Sequence, residues 1–205
     1  MSVLDFGAGT GLVSVALAED AASLVGCDVS EQMLSVFEKK IGGHPNITIR
    51  RLTQPDASEL ADLGQFDLVL ASFVLGHIEE ALIPSIFPRL VSALKPGGRL
   101  CVTEFSAFEL DNAHTAYPVT RLREMMSAQG LSVEATEEFE LSFGDEGKTE
   151  SGGSGCGGHG HSHGGGHGHS HGGGHGHSHG GSHGHGHGGP GNMVQCVFVC
   201  GARPE

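Results

Sequence analysis

Val3-Leu4-Asp5-Phe6-Gly7-Ala8-Gly9-Thr10-Gly11 is a short apolar strand running into three glycines at alternate positions. Leu12 to Ala18 then resumes with helical spacing. Glycine lets a backbone turn sharply, take positive φ and approach a ligand with no Cβ in the way. Strand, glycine turn and helix make the first half of a nucleotide-binding βαβ unit. A dinucleotide fingerprint, G-x-G-x-x-G/A counted from Gly7, needs a small residue where Leu12 stands. The residues present form acid-x-G-x-G-x-G instead, with Asp5 two positions ahead of Gly7. An acid there disfavours a pyrophosphate and suits a cationic ligand.

Further landmarks follow in order. Leu24-Val25-Gly26-Cys27-Asp28 reads as a second strand ending in an acid. Asp28 lies about twenty residues past the glycines, where a carboxylate can accept both ribose hydroxyls. Val29 to Leu34 opens a helix with Ser30 as N-cap. Asn46 to Leu52 reads as a third strand, followed by Asp56-Ala57, and Phe66 to Ser72 as a fourth, followed by Leu75-Gly76-His77-Ile78. Leu94-Lys95-Pro96-Gly97-Gly98 turns into a fifth strand, Leu100 to Glu104.

This ordered set resembles the class I S-adenosylmethionine-dependent methyltransferases. The glycine turn is similar to their motif I, Asp28 to Leu34 to their D-x-S-x-x-M-L segment, and Leu94 to Gly98 to their L-K-P-G-G turn. The match covers residues 1 to about 143 and resumes from about 192 to 202. The resemblance implies a doubly wound, Rossmann-like α/β domain whose mostly parallel sheet has one antiparallel strand. It implies methyl transfer from S-adenosyl-L-methionine to a small-molecule acceptor. Asp5, Gly7, Ala8, Gly9 and Gly11 would hold the methionine end, Asp28 the ribose, and Asp56 with Ala57 the adenine. Val29, Met33, Ala71 and Ser72 complete the implied cofactor site. His77, His114 and Tyr117 are the candidates to deprotonate or orient the acceptor.

Each assignment has a plainer competitor. The glycines would also serve another doubly wound fold, and Asp28 could be a solvated strand end. Asp56 stands a few residues beyond its strand, past Thr53-Gln54-Pro55. His77 could be an ordinary loop histidine, and Gly76 stands where the family often has a second His. The family usually carries helices ahead of motif I. None precedes it in this sequence, which implies a shortened product or an unusually open cleft.

Of the 205 residues, about 155 can build a core, enough for one domain. Eleven Lys and Arg against 24 Asp and Glu give a net charge of −13. A surface this acidic repels phosphate backbones, so nucleic acids and anionic membranes are not the expected partners. No apolar run reaches membrane-spanning length and no secretory signal opens the chain. Cys27, Cys101, Cys196 and Cys200 read as reduced core residues of a cytoplasmic protein. Pro84 and Pro88 place the start of a helix near Pro88, ending at Leu94. A later helix runs from Val119 to a stop at Gly130. Residues 131 to 143 and Met193 to Cys200 read as strands six and seven, joined as a hairpin.

Between those strands the octapeptide Gly-Gly-His-Gly-His-Ser-His-Gly recurs from Gly157, with a variant ending at Gly188. It holds twelve of the fifteen histidines: His159, His161, His163, His167, His169, His171, His175, His177, His179, His183, His185 and His187. Residues 144–191 are expected to be a disordered insertion, because the repeats carry no aliphatic or aromatic side chain to offset ordering entropy. Three to four doublings of loop length cost roughly 2 kcal/mol. Imidazoles on a glycine backbone suit Zn, Ni or Cu, with Cys156 as an added thiolate, against the competing reading of a tolerated repeat expansion. Two rival functions follow: a metal-buffering protein, or a cofactor-binding domain that regulates without turnover.

Overall fold

A computed structural model describes residues 1–107, 115–142 and 193–205. Seven strands, β1 (Ser2–Phe6), β2 (Ser23–Asp28), β3 (Ile47–Arg51), β4 (Phe66–Ser72), β5 (Leu94–Phe105), β6 (Ser132–Ser142) and β7 (Met193–Ala202), form one sheet. Their order is β3-β2-β1-β4-β5-β7-β6. β1 to β5 pair in parallel, and β7 runs antiparallel to both of its neighbours. This is the α/β architecture expected from the glycine turn onward. Met1–Ser142 and Met193–Glu205 make one compact unit.

Central strands of a parallel sheet are apolar on both faces because helices cover both. Val3 and Leu4, adjacent in β1, are accordingly both fully buried on opposite faces. One face packs under α1 (Leu12–Ala16) and α2 (Glu31–Lys40), with Val3, Leu24, Leu34, Phe37 and Ile47 in contact. Ser30 caps α2 by accepting the Met33 N–H at 3.3 Å, and Glu31 and Lys39-Lys40 match the helix dipole at either end. Phe37 is fully buried, worth about 2–3 kcal/mol of apolar transfer. The other face packs under α3 (Ile83–Ser92), α4 (Val119–Ala128) and a 3₁₀ turn at Ser58–Leu63 around Leu4, Val69, Leu90, Leu100 and Val199.

Several sequence expectations are corrected. α3 begins at Ile83 and passes through Pro88 instead of starting there. Ile83, Ile86, Phe87 and Leu90 are all buried on it, and that packing outweighs the local cost of an interior proline. α1 stops at Ala16, and the chain then turns through Asp20 toward β2. β5 includes the Lys95–Gly98 turn, with a register shift against β4 between Phe66 and Leu68. Cys101 and Cys200 are not separate reduced residues. The antiparallel register sets them directly opposite, Cα atoms 4.1 Å apart, and they pair as a disulfide. Cys27 and Cys196 are free and buried, as expected. Among the described residues no helix is long and apolar enough to cross a membrane.

Candidate cofactor cleft

In this strand order the chain reverses direction across the sheet between β1 and β4, which opens a crevice beyond the carboxyl ends of the strands. Most of the residues lining a cleft come from those ends: Phe6 and Gly7 after β1, Asp28 and Val29 after β2, Pro55 and Ala57 after β3, Val74 and Ile78 after β4.

The glycine turn is set by its own backbone and by the neighbouring strands. The N–H groups of Gly7 and Ala8 both donate to the Cys27 carbonyl, at 2.8 and 2.9 Å, tying the turn to the end of β2. Gly7 has φ +72°, and a Cβ there would lie 2.2 Å from a Val74 methyl. Only glycine lets the turn after β1 touch the segment after β4. Gly9 and Gly11 also have positive φ, and a Cβ at Gly9 would meet only the Gly7 carbonyl oxygen, at 4.0 Å.

Asp28 ends β2. It lines the cleft, accepting the Gly9 N–H on Oδ2 and the Ser30 N–H on Oδ1, each at 2.8 Å. Carboxylate oxygens have about four acceptor sites between them, so these two bonds orient the group and leave capacity for hydroxyl donors. Val29 is 62% and Met33 47% exposed, an unusual outlay of apolar surface next to Asp28. An apolar ring laid over them would cover it.

Asp5 lies deeper. It is 2% exposed and its Oδ2 accepts the Ser14 hydroxyl at 2.6 Å, joining β1 to α1 beneath the glycine turn. Burial pushes its pKa up, opposed by the Ser14 bonds. Ala71 is fully buried and Ser72 half-buried at the end of β4, and neither is among the cleft-lining residues. Ala57 lines the cleft with φ +55°, whereas the Asp56 carboxylate is held by Arg89 at 3.0 Å and by the Ser58 N–H at 3.1 Å. The Ser58 bonds hold the Asp56 carboxyl below its ordinary value. Pro55 and Ala57 on either side thus line the cleft, while Arg89 holds both the carbonyl and the carboxylate of Asp56.

The acid–base candidates separate. His77 is exposed and ends the 3₁₀ turn Leu75–His77, directly before Ile78 of the cleft wall. Tyr117 is fully buried, its hydroxyl donates to the Leu75 carbonyl at 3.4 Å, and Arg121 stacks on its ring at 4.3 Å. Burial pushes the phenol to about 12. This placement is that of a brace beneath the turn, not of a group open to an acceptor. His114 and the twelve repeat histidines lie outside the described residues. Among the described residues no cluster of His, Cys, Asp or Glu is built to hold a metal ion.

Sequence reasoning missed Glu104. It is 1% exposed near the end of β5, and its Oε1 accepts the N–H groups of Leu75 at 2.6 Å and Gly76 at 3.3 Å. Burial raises its pKa, and these backbone donors oppose the rise. The available signal was parity: Glu104 shares a sheet face with Leu100 and Val102, both apolar and buried.

Comparison with known proteins agrees with this geometry. Residues 3–98 match the family described as a methyltransferase domain. A demethylmenaquinone methyltransferase of Clavibacter sepedonicus is 38% identical over 105 residues, 51% of this chain and 41% of that protein. The chain spans about two to three fifths of the length of the first curated relatives it matches. Among solved structures, the N-methyltransferase NodS of Bradyrhizobium japonicum WM9 aligns with a TM-score of 0.63 at 16% identity, covering 100% of this chain and 86% of that one. The magnesium protoporphyrin IX methyltransferase of Synechocystis PCC 6803 with bound S-adenosylhomocysteine aligns at 0.61 and 16%, covering 98% and 73%. Residues 3–98 thus resemble a methyltransferase domain, and the strand order is that of the class I methyltransferase fold.

Proposed function

We propose that the chain binds S-adenosylmethionine in this cleft and transfers its methyl group to a small-molecule acceptor. The carrying observation is Asp28: a cleft carboxylate with acceptor capacity left after its bonds to Gly9 and Ser30. The residues present fit the cofactor. Asp28 would accept the ribose hydroxyls, while Val29, Met33 and Ala57 would pack on the adenine. Gly7, Ala8, Gly9 and Gly11 would let the methionine end lie against backbone. Asp5, through Ser14, fixes the start of α1 under that turn. The cofactor supplies a methyl group on a positively charged sulfonium. The chain contributes proximity and orientation, and His77, at the cleft's edge, would take the proton from the acceptor.

Several relatives are named demethylmenaquinone methyltransferase, which makes a reduced demethylnaphthoquinone the first acceptor to assay. The binding step has a direct test in calorimetry with S-adenosylhomocysteine and NADH. The chain should bind the former and not the latter. Asp28→Ala should weaken S-adenosylhomocysteine at least tenfold, since charged hydrogen bonds are worth about 1.5–3 kcal/mol each. Tighter binding of NADH, or unchanged affinity in the variant, would overturn the reading.

A further inference from the structure

A buried carboxylate is costly unless its oxygens are satisfied, and no Lys or Arg pairs with Glu104 among the described residues. Its partners are backbone donors of one short segment, Leu75 and Gly76, plus the Phe105 N–H at 3.4 Å. That segment is gripped from its other side as well. The Thr115 N–H donates to the Gly76 carbonyl at 3.0 Å, and Tyr117 donates to the Leu75 carbonyl through its hydroxyl. Tyr117 is itself anchored by its N–H to the Phe105 carbonyl at 2.8 Å, next to Glu104. The grip is tight enough to exclude a side chain, for a Cβ on Gly76 would lie 2.9 Å from the Thr115 carbonyl oxygen.

The segment so held sits between two cleft residues. Val74 precedes it and touches Gly7, and Ile78 follows it, with His77 between. We propose that Glu104 is a positioning residue: its carboxylate clamps the turn after β4, and so fixes Val74 against the glycine turn and His77 at the cleft's edge. The inference rests on the cofactor reading of the cleft and adds to it the group that sets the shape of one wall. A carboxylate suits the task better than a neutral amide. Its oxygens only accept, so one oxygen can take two N–H groups with no competing donor, and its charge strengthens both bonds.

The test follows amide hydrogen exchange at Leu75 and Gly76 and S-adenosylhomocysteine affinity by calorimetry, in the full chain. Glu104→Ala should speed exchange at both amides at least tenfold and weaken S-adenosylhomocysteine about fivefold or more. Glu104→Gln, which keeps a carbonyl acceptor, should restore both to within threefold of wild type. Val133→Ala, on β6 at the far edge of the sheet, serves as a destabilised control and should change neither. Should the alanine variant not fold, Glu104→Asp carries a carboxylate one methylene short and should give the same two changes. Unchanged exchange in Glu104→Ala or Glu104→Asp overturns the clamp, as does an equal effect of Val133→Ala. A wild-type chain that binds no S-adenosylhomocysteine would sink the cofactor reading alone, because exchange at Leu75 and Gly76 still decides the role of Glu104.

Discussion

Asp67 stands at the amino end of β4, opposite the cleft, and accepts the Ser2 N–H at 2.6 Å, the Ser2 hydroxyl at 2.9 Å and Lys95 at 2.9 Å. These bonds, the Ser2 N–H foremost, hold its carboxyl far below the ordinary range. A carboxylate whose folded pKa is depressed stabilises the fold above its unfolded value near 3.9 and loses that contribution as pH falls through the folded value. Asp67→Asn should therefore melt below wild type at pH 7, and the gap should narrow as the pH is taken from about 4 toward 2. Thermal melts across that range check it, and a gap that widens in acid would show the sign is wrong. Asp67 and Asp56 are both half-buried acids near strand ends, yet one joins β1 to β5 and the other is taken up by Arg89. Composition assigns both the same role. Only the position of the basic partner separates them.

At the level of elements, α3 departs most from its local sequence. Pro88 has no N–H to donate and sits in the middle of Ile83–Ser92. An interior proline costs about 3 kcal/mol relative to alanine, partly offset by the stiffer unfolded chain. Pro88→Ala should then raise stability by about 1–2 kcal/mol, seen as a higher midpoint in urea at unchanged slope. A lower midpoint would mean the ring packs against something that matters more than the missing bond. Four buried apolar residues at helical spacing, Ile83, Ile86, Phe87 and Leu90, were present in the sequence throughout. Reading the prolines first obscured them, because a breaker is a local rule and burial is a tertiary reward. The hairpin of β6 and β7 was the opposite case. Its strands came within two residues of the observed ends, since the apolar run from Met193 has no competing signal.

Across the whole molecule, Ser142 and Met193 are register partners at the open end of that hairpin, at the carboxyl edge of the parallel strands. A short turn could join them. Replacing residues 157–188 by a few Gly and Ser residues should leave the melting temperature equal or slightly higher in metal-free buffer, because a shorter loop costs less entropy to close. A drop of several degrees would show that the repeats contribute to the fold. The repeat itself lies outside the described residues, so its Zn, Ni or Cu binding stands as an expectation of composition.

The sequence by itself determined the sheet's parallel core, the glycine turn and Asp28, because each rests on short-range chemistry. Apolar runs choose strands, alternate glycines permit positive φ, and the acid that ends β2 lands beside the glycine turn, whose Gly9 N–H it accepts. Tertiary structure alone decided which side chains the fold claims for itself. Tyr117 was drawn into the core as a brace, the Asp56 carboxylate to Arg89, and Cys101 to Cys200 across β5 and β7. Glu104 acquired its role only when the turn after β4 was folded over it. A polar group's function depends on its nearest partner in space, and for these residues that partner is 33 to 99 positions away or, for Glu104, nearly thirty.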